Sequence, residues 1–255
     1  MEYPIREKGK FKYIEEGQGT EVIILLHGLF GSMGNFGPLI TGLKAKYRLI
    51  VPLLPIYEMP RREISMTALM EHVYEFIQIE GYQSVHLVGN SLGGHIGLLM
   101  ALKDPTIIHS LTLTGSSGLF ENALGGSFPR RQNYDFVKKV AQGTFYDPNV
   151  ASKVLVDEIF ETVNSPTKGL NIILTAKSAM RHNLEHELHK ITAPTLLIWG
   201  KNDSITPAFV GEDFNQKIKG SELHILDECG HAPMMEKPRI FIQLLEAFLS
   251  KHSMS

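Results

Sequence analysis

The chain has 255 residues, 43% of them hydrophobic and 20% charged, and its 25 Lys+Arg against 27 Asp+Glu leave a net charge of −2. That is enough apolar material for a sizeable core, in one large domain or two small ones, and it excludes collagen-like, disordered and disulfide-scaffold chains. With no basic excess, neither nucleic acid nor an anionic membrane is expected as a partner. The amino-terminal residues 1–8 have no apolar h-region, so no secretory signal is expected. Cys229 is the single cysteine and cannot form an intramolecular disulfide, which points to a reducing, cytoplasmic setting. Residues 83–102, the longest uncharged run, hold Asn90, two His and four Gly, a composition for a buried strand–turn–helix and not for a membrane span.

Short β-branched runs alternate with longer amphipathic ones, which predicts a mostly parallel sheet covered by helices. Residues 5–15 read as a pair of edge strands. The unbroken apolar run at residues 22–26 suits a strand buried on both faces. Residues 49–51 form a shorter strand stopped by Pro52 and Pro55. Leu69, Met70, Val73, Phe76 and Ile77 have helical spacing, predicting a helix over residues 67–79. A strand at 85–88, a helix at 92–103 stopped by Asp104-Pro105, and a strand at 111–114 follow. From about 117 to 191 the periodicity is helical throughout. Strand signals resume at 195–199 and 222–226, and a helix at about 238–250 closes the chain. Residues 1–116 and 192–255 therefore read as one sheet domain, interrupted by a helical cap over residues 117–191.

Four segments at strand ends carry chemistry. Val88-Gly89-Asn90-Ser91-Leu92-Gly93-Gly94 is a G-x-S-x-G motif between a strand and a helix, the context in which such a turn projects a serine above a sheet. Ser91 would sit at a helix amino terminus, where free N–H groups favour developing negative charge. The alternative is a glycine-rich turn with a helix-capping serine. His27-Gly28-Leu29-Phe30-Gly31-Ser32 follows the strand at 22–26 and can aim backbone N–H groups into the same crevice. Acyl transfer needs two such donors for an oxyanion, and the N–H groups of Leu29 and Leu92 are the candidates. His27 lies too close to its strand to be a general base and reads as a buried, hydrogen-bonded organiser of the loop. Asp203, in the polar loop at 199–207, fits the carboxylate that orients a base; the alternative is a cap for a helix near Pro207. His231, in Cys229-Gly230-His231-Ala232-Pro233, fits the base itself. Asp227 and Glu121 compete with Asp203 as orienters.

In the order loop, Ser, Asp, His, these segments resemble the α/β-hydrolase superfamily over nearly the whole chain. The resemblance implies an α/β fold: a mostly parallel eight-stranded sheet with helices on both faces and a helical cap inserted after the sixth strand. It implies Ser91 as nucleophile, Asp203 as acid, His231 as base, and Leu29 and Leu92 as oxyanion donors. It implies no cofactor and no metal, a small-molecule ester or related carbonyl substrate, and a monomer or homodimer. Haloalkane dehalogenases and epoxide hydrolases of that family place Asp where this chain has Ser91, so acyl transfer is the expected reaction. The chain is also similar to the meta-cleavage-product hydrolases, which split carbon–carbon bonds. It departs from them in Ala232 after His231, where they usually carry Trp, and in its Leu29-Phe30-Gly31-Ser32 loop. Glu158 falls near their cap arginine, although Arg130, Arg131 or Arg181 could replace it. The expectation is a serine esterase. A carbon–carbon hydrolase is the second reading, and a non-catalytic binder on the same fold the third. Many relatives have an Asp-x-x-Gly-x-Gly-x-Ser loop where this chain has Val51-Pro52-Leu53-Leu54-Pro55-Ile56-Tyr57-Glu58, and the sequence offers no account of that change.

Phe30, Asn90, Leu119, Phe120, Phe145 and Met234 are candidate pocket residues, with Phe128, Phe136, Tyr146, Phe160 and Met235 as further apolar material. For most of the aromatics, packing within the cap is the plainer reading. His182, His186 and His189 recur on one face of an expected solvated cap helix, one residue short of a zinc-binding H-E-x-x-H. His95 reads as a packed or hydrogen-bonded residue, and Cys229 as a small buried one.

Overall fold

The computed structural model describes residues 3–31, 33–120, 122 and 130–254. Its strands are β1 (Arg6–Lys8), β2 (Phe11–Glu16), β3 (Val22–Leu26), β4 (Arg48–Pro52), β5 (Val85–Asn90), β6 (Ile108–Thr114), β7 (Thr195–Gly200) and β8 (Glu222–Leu226). They form one sheet in the order β1-β2-β4-β3-β5-β6-β7-β8. The β1–β2 and β2–β4 pairings are antiparallel and the other five parallel. The expected pair at residues 5–15 is present, but only β1 lies at the edge.

Every residue of β3 and β5 is buried, because helices cover both faces of the sheet. The strand pleat divides β3 between two cores: Ile24 and Leu26 pack toward α2 (Met66–Glu80) and α3 (Leu92–Lys103), Ile23 and Leu25 toward α1 (Gly37–Leu43) and α9 (Pro238–Lys251). Helix α2 begins where Ser65 Oγ accepts from Ala68 N and ends at Gly81, whose φ of 78° a side chain would resist. Two buried histidines are held neutral by their surroundings. His86 on β5 sits 2.7 Å from Ser110 Oγ, and burial lowers its pKa to about 4. His95 on α3 faces His182 Nδ1 at 3.2 Å, and burial, with His182 adding to it, lowers its pKa to about 3.

Between β6 and β7 lie α4 (Tyr134–Gln142), α5 (Lys153–Asn164) and α6 (Pro166–Arg181). Asn133, Ser152 and Ser165 cap them through side-chain oxygens. This helical insert has a small core of its own, formed by Val137, Ala141, Ala151, Val156, Ile159 and Val163. The loop after β4 is tied to the insert: Asn171 Nδ2 on α6 donates to the carbonyls of Ile56, Tyr57 and Met59 at 3.1–3.3 Å. Met66 N, at the start of α2, adds a bond to Ser178 Oγ at 3.1 Å. The helix expected to carry His182, His186 and His189 is absent. Helix α6 stops at Arg181, Leu184 N turns away to Gly118 O, and Asn183 Oδ1 captures Glu185 N. The remaining helices are α7 (Ala208–Lys217) and the short α8 (Pro233–Glu236). Among the described residues no helix is long and apolar enough to cross a membrane.

Candidate active site

The turn from β5 to α3 places Ser91 at φ 54°, ψ −117°, a conformation that non-glycine residues adopt only when their surroundings enforce it. The flanking glycines make it possible: a Cβ on Gly93 would land on Leu26 O, and one on Gly89 on the Gly93 carbonyl. Ser91 N donates to Thr114 O at 3.1 Å, and Ser91 O accepts from His95 N and Ser117 N, both at 3.2 Å. The backbone is thus fully engaged. Among the described residues Ser91 Oγ makes no hydrogen bond.

Asp203 follows β7 and is buried. Its Oδ1 accepts from Ile205 N at 2.8 Å and Thr206 N at 2.9 Å. Its Oδ2 accepts from Thr206 Oγ1 at 2.9 Å and lies 2.8 Å from His231 Nδ1. Thr206 is fixed in turn by Trp199 Nε1, which donates to its carbonyl at 2.7 Å. With the carboxylate as acceptor, Nδ1 of His231 carries the proton and Nε2 is left able to receive one. The backbone of His231 is held as well. Asn90 Nδ2 donates to His231 O at 3.1 Å and to Thr114 O at 3.0 Å, and His231 N donates to Thr144 O at 2.9 Å. Gly115, at φ 51°, lies against it, where a Cβ would come within 2.8 Å of Nδ1.

Ser91 and His231 line one cavity, part of it open to solvent. Leu29 and Leu92 line it as well, and among the described residues neither N–H has an acceptor. The Leu29 turn is set by His27, whose Nε2 accepts from Leu54 N at 3.4 Å and whose Nδ1 lies 2.8 Å from Gly28 O. That pattern requires the neutral Nδ1–H tautomer, and burial lowers the pKa of His27 accordingly. Phe30, Phe145, Leu155, Ile159, Ala176, Ala179, Met180 and Met235 supply apolar walls. Asn35, Asn90, Ser117, Asn122 and Thr144 are the uncharged polar lining. Apart from His231, no titratable side chain is among the described lining residues.

Three of the six pocket candidates are there: Phe30, Asn90 and Phe145. Asn90 lines the cavity, but its Nδ2 donates to the backbone carbonyls of Thr114 and His231, so it braces the His231 loop. Leu119 and Phe120 are not in this cavity. Gly118, at φ 113°, redirects the chain, and the pair lines a surface pocket with Met180 and Asn183, Phe120 being 45% exposed against Phe209. Met234 is fully buried in the α1–α9 core, because the short turn of α8 points it inward and gives the cavity position to Met235. Phe160 packs within the insert. Asp227 is exposed and pairs with Lys201 at 2.7 Å. Glu121 and Phe128 lie outside the described residues. Burial pushes the Cys229 thiol up to about 12, which removes it as a nucleophile. Thr206 and Gly115 are site residues that the sequence does not single out, whereas Met235, expected as further apolar material, does line the cavity. The only signal for Thr206 was a hydroxyl three residues after an acidic loop residue.

The model of the alpha/beta hydrolase family matches residues 23–244. Monoacylglycerol lipase abhd6-A of Xenopus laevis is 27% identical over 94% of this chain and 79% of that protein. The 2-hydroxy-6-oxononadienedioate/2-hydroxy-6-oxononatrienedioate hydrolase 2 of Pseudomonas putida is 28% identical over 93% of this chain and 90% of that protein. Among solved structures, the alpha/beta hydrolase MGS-MChE2, from a metagenome of sediments of the Mar Chica lagoon in Morocco, is 37% identical. It superposes with a TM-score of 0.81, covering 98% of this chain and all of that one.

Proposed function

The chain belongs to the alpha/beta hydrolase family, and from that premise we propose that it is a serine hydrolase of uncharged carboxylic esters, with residues 117–191 as a lid over the cavity. Ser91 is the nucleophile and His231 the base that takes its proton. Asp203 holds the imidazole and stabilises its cation, and Leu29 N–H and Leu92 N–H receive the oxyanion. Attack on the ester carbonyl gives an acyl-enzyme, and a water activated by the same imidazole releases the acid. The observation that carries this reading is the 2.8 Å His231–Asp203 bond, opening on the cavity that Ser91 also lines.

The relatives' names divide between a lipase and a hydrolase of dienedioates. The cavity favours the first. A dienedioate carries carboxylates that need a cation or several donors in a dry pocket. Here Arg130, Arg131 and Arg181 are exposed and outside the lining, and Glu158 is exposed too. Apolar walls suit an acyl or alkyl chain. A fluorophosphonate should label Ser91 stoichiometrically, and p-nitrophenyl esters should turn over at least tenfold faster, as an order-of-magnitude expectation from the missing cation, than a dienoic keto acid. An inert Ser91 would leave a binder on this fold, and preference for the keto acid would leave the carbon–carbon hydrolase.

A further inference from the structure

The side chain of Glu236, at the end of α8, is half-buried, desolvation raises its pKa, and among the described residues it forms no ion pair. Its two oxygens receive backbone N–H groups from two parts of the chain. Oε1 accepts from Gly230 N at 2.8 Å, the residue before His231, and Oε2 accepts from Tyr146 N at 2.7 Å, in the turn after α4 of the helical insert. Two more bonds run alongside: His231 N donates to Thr144 O at 2.9 Å, and Ser204 Oγ, beside Asp203, donates to Gly143 O at 3.0 Å. The fit is close, since a Cβ on Gly230 would lie 2.7 Å from Thr144 O and 2.9 Å from Tyr146 N. Thr144 and Phe145, from the same turn, line the cavity.

We infer that Glu236 is a positioning residue, whose carboxylate bridge between Gly230 N and Tyr146 N fixes the loop of His231 against the turn at residues 143–146. Drawing a carboxylate even partly out of water is unfavourable unless donors compensate. Here the backbone donors belong to two separate segments, Gly230 and Ala232 on one side and Tyr146 and Asp147 on the other, so the charge joins them. A misplaced base costs turnover more than affinity, because the proton transfer is made in the transition state and the walls that hold the substrate are untouched.

The inference rests on His231 acting as the base, and two readouts separate it from that premise. In the full chain, Glu236→Ala should lower kcat on a p-nitrophenyl ester by about 10- to 100-fold, with KM moving less than about threefold. The His231 Nδ1–H resonance in proton NMR should shift or broaden. Glu236→Gln keeps one acceptor and turns an NH₂ toward the other donor, so it should lose less, and it decides the matter if the alanine variant does not fold. Unchanged kcat in a folded variant overturns the inference, as does a loss of kcat with the His231 resonance unmoved. If the wild-type protein proves inert to esters and fluorophosphonate, the hydrolase reading fails by itself. The resonance alone then decides for or against the bridge.

Discussion

On the strand-end side of the cavity, Asp203, Thr206, His231 and Asn90 are joined by hydrogen bonds of 2.8–3.1 Å that leave little freedom to any ring or carboxylate. On the other side, Ala141, Leu155, Ile159, Ala176 and Ala179 of the insert meet the same space with carbon atoms alone. The first surface is directional, and a partner removed there leaves a buried polar group unsatisfied. The second is additive: what it binds depends on volume and apolar area, and one methyl more or less changes it by degrees. Under the proposed function, the chemistry rests on directed bonds and the selectivity mainly on apolar volume.

Mutations on the two walls should therefore differ in kind. The largest effect is expected at Ser91→Ala, where ester turnover should fall by about three to six orders of magnitude with folding intact, as measured by initial rates beside circular dichroism. A fall of less than tenfold would put the reacting oxygen elsewhere. Next comes Thr206→Val, which keeps the shape and removes one donor to Asp203. A single buried hydrogen bond to a charged group predicts a loss in kcat of about 10- to 100-fold, with KM nearly constant. Equal losses in kcat and thermal midpoint would mean that Thr206 only supports the loop. The smallest effect belongs to the insert. Ala179→Phe should raise KM for long-chain esters about five- to tenfold and leave acetate esters within twofold, because it removes volume without touching a polar group. If kcat for acetate fell as far as for Thr206→Val, the division between the walls would be lost.

The same division explains what could be read in the amino acids. The strands follow from apolar runs such as residues 22–26, though their order in the sheet does not, and the positions singled out at 29, 91, 92 and 231 line one cavity because each sits on a turn whose glycines and flanking strand dictate its direction. Glu236 and Thr206 act through bonds to segments 90 and 3 residues away, respectively, and only Thr206 had a local trace. The pocket was harder. Leu119 and Phe120 look like wall material by type, but Gly118 and the Asn183 Nδ2 bond to Leu119 O at 2.8 Å send them outward. Met234 and Met235 differ by one helical step, and a short helix gives no periodicity from which to choose between them. The break after Arg181 was equally hidden, since a histidine repeat at i, i+4 and i+7 imitates a helix that tertiary bonds refuse to continue.

His86 and His95 carry a consequence beyond the cavity. In an unfolded chain an imidazole takes up a proton near pH 6.5, whereas these two resist until about 4 and about 3. Between those limits the unfolded chain binds more protons than the native one, so native stability drains away as the medium acidifies from neutrality and is regained on the return. Acidification from neutrality should therefore lower the free energy of unfolding, which denaturant titrations at a series of pH values would read.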